Sequence, residues 1–248
     1  MDKELADAYV GLSNISLIED NFDKAYQEAD HAVEMQTKNA MALNARGWVL
    51  FKQGKIDEAI YDLNRAIRYA PRLSIAYGNR GVCHVSKSDF ESAIADHTTH
   101  IKLEPTSPFA LANRGVAWFG KGEFAKAKSD FEAAEKLAPE LDETLNGYAW
   151  FLATCPDEKF RDGKAALKKA EKACKISDYK DWYQLDTLAT AHAELDNFDE
   201  AIKWAKKAID IAPEAKKKLC EEQLARFKRK EKLRSKVGKN AEQNIFDL

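Results

Sequence analysis

A 34-residue beat runs along this chain and limits what it can fold into. Pro71, Pro105 and Pro139 recur at that spacing, and Pro213 follows 74 residues later, which is 34 plus 40. Gly47, Gly81 and Gly115 keep the same interval, as do Ala25, Ala59, Ala93 and Ala127. A fixed period of this length specifies a stack of like units, each burying an apolar face on its neighbour, and such stacks usually serve as surfaces that hold other proteins. A stack also escapes the size limit of a single core, so all 248 residues can belong to one array.

Each unit reads as two helices. Over residues 40–54, Leu43, Gly47, Leu50 and Phe51 fall at helical spacing before a Gly54-Lys55 break. Ile56, Ala59, Ile60, Leu63, Ala66 and Ile67 then mark a second helix that Pro71 ends. Gly47 and Ala59 recur as Gly81/Ala93 and Gly115/Ala127, small residues where the two helices of a unit cross closely.

Counting 34 positions from Ala40, small residues at 8 and 20, Leu or an aromatic at 24, Ala at 27 and Pro at 32 are met by Gly47, Ala59, Leu63, Ala66 and Pro71. Gly115, Ala127, Phe131, Ala134 and Pro139 meet them again. This pattern resembles the tetratricopeptide repeat (TPR), of a bacterial type, over about residues 6–215. The resemblance implies an all-α, right-handed α-solenoid of about six helical hairpins plus a C-terminal capping helix. The repeats lie near 6–39, 40–73, 74–107, 108–141, 142–181 and 182–215 within an array over 1–215. A basic capping helix is expected over 216–236, reading back to Glu214, and a flexible tail over 237–248.

Two repeats depart from the pattern. Repeat 3 has His97 and His100 at positions 24 and 27. In repeat 5, Ala149 and Ala166 are 17 residues apart where other repeats have 12, so about five residues enter between its helices, within 155–163. Pro156 should stop the first helix there and Asp162 should cap the second. A lengthened turn is the simpler reading of the insert; a partner contact through Arg161 is the sharper one.

Repeats 2, 3 and 4 alone carry Arg at position 7 (Arg46, Arg80, Arg114), and they alone carry Asp at position 23 (Asp62, Asp96, Asp130). That co-occurrence predicts Arg–carboxylate pairs between packed helices rather than ligand-binding arginines. Cys83, His84, His97 and His100 gather in repeat 3, but three of their four positions pack between helices, so core histidines are expected and no metal.

In TPR proteins the first helices line a concave groove. Carried onto this chain, the resemblance implies a peptide-binding set of Asn44, Trp48, Phe51, Asn79, Phe109, Asn113, Phe119, Asn146 and Trp150. The aromatics would supply anchoring area and the amides would hold a peptide backbone. The subclass that grips chaperone carboxylates needs Lys where this chain has Val10, Asn where it has Ala45, and basic residues where it has Ile75 and Asn79, so that ligand is not expected.

Charge is unevenly placed. Residues 214–240 hold eleven Lys/Arg against four Glu, a net of +7, so 1–213 carry about −7. The basic segment gives the alternative function, a tether to nucleic acid or an anionic membrane, although its charges circle the helix instead of forming a stripe. No nucleophile–base motif, phosphate loop or carboxylate pair points to an enzyme, and no cofactor is implied. Four cysteines without a CxxC pair, and no apolar run long enough to cross a bilayer, give a monomeric cytoplasmic protein as the expectation. The function expected is a non-catalytic protein–protein interaction scaffold holding a peptide or partner segment in its groove; nucleic acid is not the expected partner.

Overall fold

The computed structural model describes residues 3–238; the tail expected over 237–248 lies almost wholly outside them. Thirteen α-helices and no strand are found among the described residues, and the fold is an all-α solenoid. The chain divides into two compact units, the first ending at Pro105 and the second beginning at Thr106.

The first unit contains α1 (Lys3–Ile18), α2 (Phe22–Met35), α3 (Ala40–Lys52), α4 (Ile56–Tyr69), α5 (Ser74–Ser86) and α6 (Phe90–Leu103). They form three hairpins, each packed on the next. Asn21, Asn39 and Asp89 start α2, α3 and α6 by accepting hydrogen bonds from backbone N–H groups of the first turn. Pro71 and Pro105 follow the caps Ala70 and Glu104 directly, where a proline cannot continue the helix.

Close crossing inside a hairpin has an atomic cause. A Cβ added at Gly47 would lie 2.9 Å from Leu63 Cγ, and one at Gly81 would lie 2.6 Å from His97 Cε1. The side chain at position 24 therefore rests on the bare backbone of position 8. Leu63 and His97 are fully buried there, and burying a leucine contributes about 1.5–3 kcal/mol.

The second unit contains α7 (Pro108–Lys121), α8 (Phe124–Leu137), α9 (Asp142–Thr154), α10 (Gly163–Ile176), α11 (Trp182–Glu194), α12 (Phe198–Ile211) and α13 (Glu214–Lys228). Again three hairpins stack, and α13 packs on α12. The helix expected to run to residue 236 ends at Lys228, and Lys230 turns the backbone to φ +57°. Residues 231–237 then run without regular structure across the ends of α11 and α9. Ser235 N donates to Thr154 O at 2.9 Å, the Ser235 and Thr154 hydroxyls lie 2.7 Å apart, and Lys232 Nζ donates to Glu194 O at 3.0 Å. These tertiary bonds replace the helical ones that a Lys/Arg-rich segment would otherwise make.

The insertion in repeat 5 follows from its turn. At position 15 the other five repeats place Asp20, Gly54, Ser88, Gly122 and Asp196, all with φ between +55° and +88°. Repeat 5 has Pro156 at that place, and the proline ring fixes φ near −65°. The short left-handed turn is therefore closed to it. Instead a single 3₁₀ turn, Glu158–Phe160, is inserted, and Asp162 caps α10 through a 2.9 Å bond from Ala165 N.

Candidate peptide-binding surface

In the first unit the side of α3 and α5 away from the second helices carries a compact polar and aromatic set. Asn79 Nδ2 donates to Asn44 Oδ1 at 3.0 Å, linking position 6 of one repeat to position 5 of the one before it. Asn44 is buried and Asn79 half-buried. That bond uses one Asn79 N–H and leaves its carbonyl oxygen as an acceptor. Trp48 and Phe51 stack with ring centroids 5.1 Å apart, both half-buried, and the Lys52 ammonium sits 5.1 Å above the indole. Ile75, one turn before Asn79, is 46% exposed. A patch of apolar rings and amides with part of its surface in water can anchor side chains and hold backbone groups of an extended segment.

Arginine clamps beneath this patch fix the hairpins. Arg46 Nε and Nη2 reach Asp62 at 2.6 and 2.8 Å, while Nη1 reaches Asp30 of the preceding repeat at 2.6 Å. Arg80 repeats the geometry on Asp96 at 2.8 and 2.6 Å, with Nη1 on Asn64 at 2.6 Å. Hydrogen bonds donated to Asp62 and Asp96 raise both guanidinium pKa values against the opposing effect of burial. Each guanidinium thus ties its own hairpin to the one before. In the second unit Arg114 makes the same bidentate contact with Asp130 at 2.7 and 2.8 Å.

The second unit treats its expected site residues differently. Phe109 is 49% exposed on α7 and Asn113 is half-buried. Phe119, expected as an anchor, is only 2% exposed. It packs edge-on against Phe151 at 5.1 Å and against Phe124 at 6.1 Å, a cluster that Phe160 of the insertion extends. A peptide cannot reach it. Asn146, 2% exposed, is equally enclosed, and Trp150 is buried and stacked on Tyr183 at 6.4 Å. The structure thus brings Asn44, Trp48, Phe51 and Asn79 together, leaves Phe109 and Asn113 on another unit, and withdraws Phe119, Asn146 and Trp150 into packing.

The repeat 5 insert is tied inward. Arg161 Nη1 donates to the carbonyls of Cys155 and Pro156 at 2.9 and 3.1 Å, and its Nε lies 3.2 Å from Glu194 Oε1. Glu194 also accepts from Arg234 at 2.7 Å. Arg161 is therefore a loop staple, and Glu194, which sequence reasoning passed over, joins the insert to the C-terminal segment. No motif marks Glu194; its role depends on two arginines 33 and 40 residues away.

His97 and His100 lie in the core over Gly81 and Gly78, and burial lowers the His84 and His100 pKa values below the usual imidazole value. Among the described residues no group of three His, Cys, Asp or Glu side chains is placed to hold a metal ion. The four cysteines are unpaired and buried; desolvation pushes Cys83, Cys174 and Cys220 up to about 12 and Cys155 to about 11, which favours the neutral thiol. Among the described residues no helix is long and apolar enough to cross a membrane.

Models of the tetratricopeptide repeat match residues 40–73 and 185–214. None of the curated proteins matches the chain. Solved structures share the fold. The APC/C hetero-tetramer Cut9–Hcn1 aligns with a TM-score of 0.76 at 17% identity, covering 90% of this chain and 43% of that one. Yeast Tom70 aligns at 0.63 and 20% identity, covering 90% and 47%. A tetratricopeptide repeat protein from Parabacteroides merdae aligns at 0.65 and 15% identity, covering 90% and 84%. The chain spans less than half the length of the first two.

Proposed function

Because the chain is a tetratricopeptide-repeat protein, we propose that it is a non-catalytic scaffold which binds an extended segment of a partner protein on the α3–α5 face. The observation that carries this reading is the Asn79–Asn44 bond beside half-buried Trp48 and Phe51 and exposed Ile75. It offers a backbone acceptor and apolar anchors within two neighbouring repeats, the arrangement an extended peptide needs. Phe109, exposed, and Asn113, half-buried, hold the same helix positions on α7 of the second unit and form no part of this face. The partner is a protein, the scaffold is a monomer, and the buried thiols fit a reducing cytoplasmic setting.

The basic C-terminal segment is less suited to a polyanion. Lys217, Arg229, Lys232 and Arg234 pair with Glu214, Glu231, Asp196 and Glu194 of the same chain, which leaves less free charge for phosphates.

The test is capture of partners from a lysate by the full chain and by an Asn44→Ala/Trp48→Ala/Asn79→Ala variant, followed by titration of the captured protein at 50 and 300 mM salt. Selective loss in the variant, with helicity kept and affinity changing less than about threefold with salt, is expected. Retention by the variant, or a fall of hundreds-fold with salt, would overturn the groove and favour the basic segment.

A further inference from the structure

We propose that the outward face of α1 is a stacking site for an amphipathic helix of a partner protein whose apolar stripe is flanked by Lys and Arg. The repeats supply the comparison. In α3 and α5 the face turned to the preceding hairpin carries Ala42 and Val49, then Ala76 and Cys83, at positions 3 and 10, and all four are fully buried. The equivalent residues of α1 are Ala8 and Ile15; Ala8 is exposed and Ile15 is 54% exposed. At position 7, where Arg46 and Arg80 reach back to Asp30 and Asn64, α1 has Leu12, 44% exposed.

Leu5, Ala8, Leu12 and Ile15 thus form one stripe at i, i+3, i+7 and i+10, about 15 Å long. Gly11 lies at its edge, and a Cβ there would meet nothing within 4 Å, so a second helix can approach closely. The stripe has the residue types of a buried stacking face and lacks the covering that its counterparts have.

Charge identifies the occupant. Glu4, Asp7, Glu19 and Asp20 are exposed around the stripe, and Lys3 is the one basic residue over 3–21. A second copy docking α1 on α1 would set carboxylates against carboxylates in either orientation. The chain's own basic helix is no better, because α13 turns Lys218, Glu221, Glu222 and Arg226 outward and offers no apolar stripe. A helix with Leu or Ile on one face and Lys or Arg beside it satisfies both features.

The test uses the full chain and a fluorescein-labelled amphipathic peptide of about twenty residues, with a Leu/Ala stripe and Lys flanks, beside a control carrying Glu flanks. Fluorescence anisotropy should show binding of the basic peptide, weakening with added salt. Leu12→Gln/Ile15→Gln should weaken it at least tenfold with unchanged helicity, while Asn44→Ala/Asn79→Ala leaves it unchanged, which separates this face from the groove. The proposal fails if the basic peptide does not bind, if the acidic peptide binds equally well, or if Leu12→Gln/Ile15→Gln has no effect. It also fails if sedimentation shows a dimer that this variant abolishes, since a second copy would then cover the stripe.

Discussion

Asn44 and Trp48 in α3 are matched by Asn146 and Trp150 in α9, the same residue types at the same places in their repeats. Their surroundings differ. Asn44 Oδ1 accepts from Asn79 at 3.0 Å, whereas Asn146 Oδ1 finds no hydrogen-bond partner among the described residues. Trp48 keeps part of its ring in water, while Trp150 is covered by Tyr183. The next repeat decides each case. At its positions 2 and 6 the first unit has Ile75 and Asn79; the second has Tyr183 and Thr187, whose hydroxyl is spent on Tyr183 O at 3.1 Å. A site in a stack is written across two repeats, and reading one repeat alone cannot separate an anchor from a core residue.

The largest effect should come from deleting the two indoles in turn. Trp150→Ala empties a buried site and should cost about 3–5 kcal/mol in urea unfolding. Trp48→Ala should cost less than half of that and act chiefly on partner affinity. Equal losses would break the comparison.

Position 5 occurs in a third form, Asp186 of α11, fully buried near Gln223 and Cys220 of α13. Desolvation raises its pKa from the ordinary aspartate value of 3.8 to about 7, against the Gln223 hydrogen bond. Between these values the native state holds a proton that the unfolded chain has released. Stability should therefore fall as pH rises from about 4 to about 7, by up to about 1.4 kcal/mol per pH unit, and level off above. Asp186→Asn, unfolded by urea across that range, should remove this slope; an unchanged slope would show that Asp186 is ionised in the fold.

Smaller effects separate the two asparagines. Asn79→Ala strands the Asn44 carbonyl oxygen and should cost about 1–2 kcal/mol. Asn146→Leu removes an amide whose oxygen is already unpaired, so its unfolding free energy should stay within about 1 kcal/mol of the parent or rise. Reversal of that order would mean that Asn146 is satisfied by water.

The repeat period, the crossing glycines and the Arg–Asp pairs were all legible in the sequence because each depends on residues within one unit or its neighbour. Phe119 was not. Its position suits a groove, but Phe124 of α8 and Phe151 of α9 pack against it, and Phe160, brought in by the insertion, packs on both of those rings. The end of α13 was illegible for a related reason. Nothing in residues 226–236 opposes a helix locally, and the extended course is held by Thr154 and Glu194, more than thirty residues distant. The Pro156 turn is the opposite case, since a single ring-locked φ predicts that the short turn must fail.

The knot of contacts at Glu194 also has a mechanical meaning. Tension applied beyond residue 238 meets Ser235–Thr154 and Arg234–Glu194 before it reaches α13. The load enters the ends of α9 and α11 directly, and the last helix is shielded from peeling until those bonds give way.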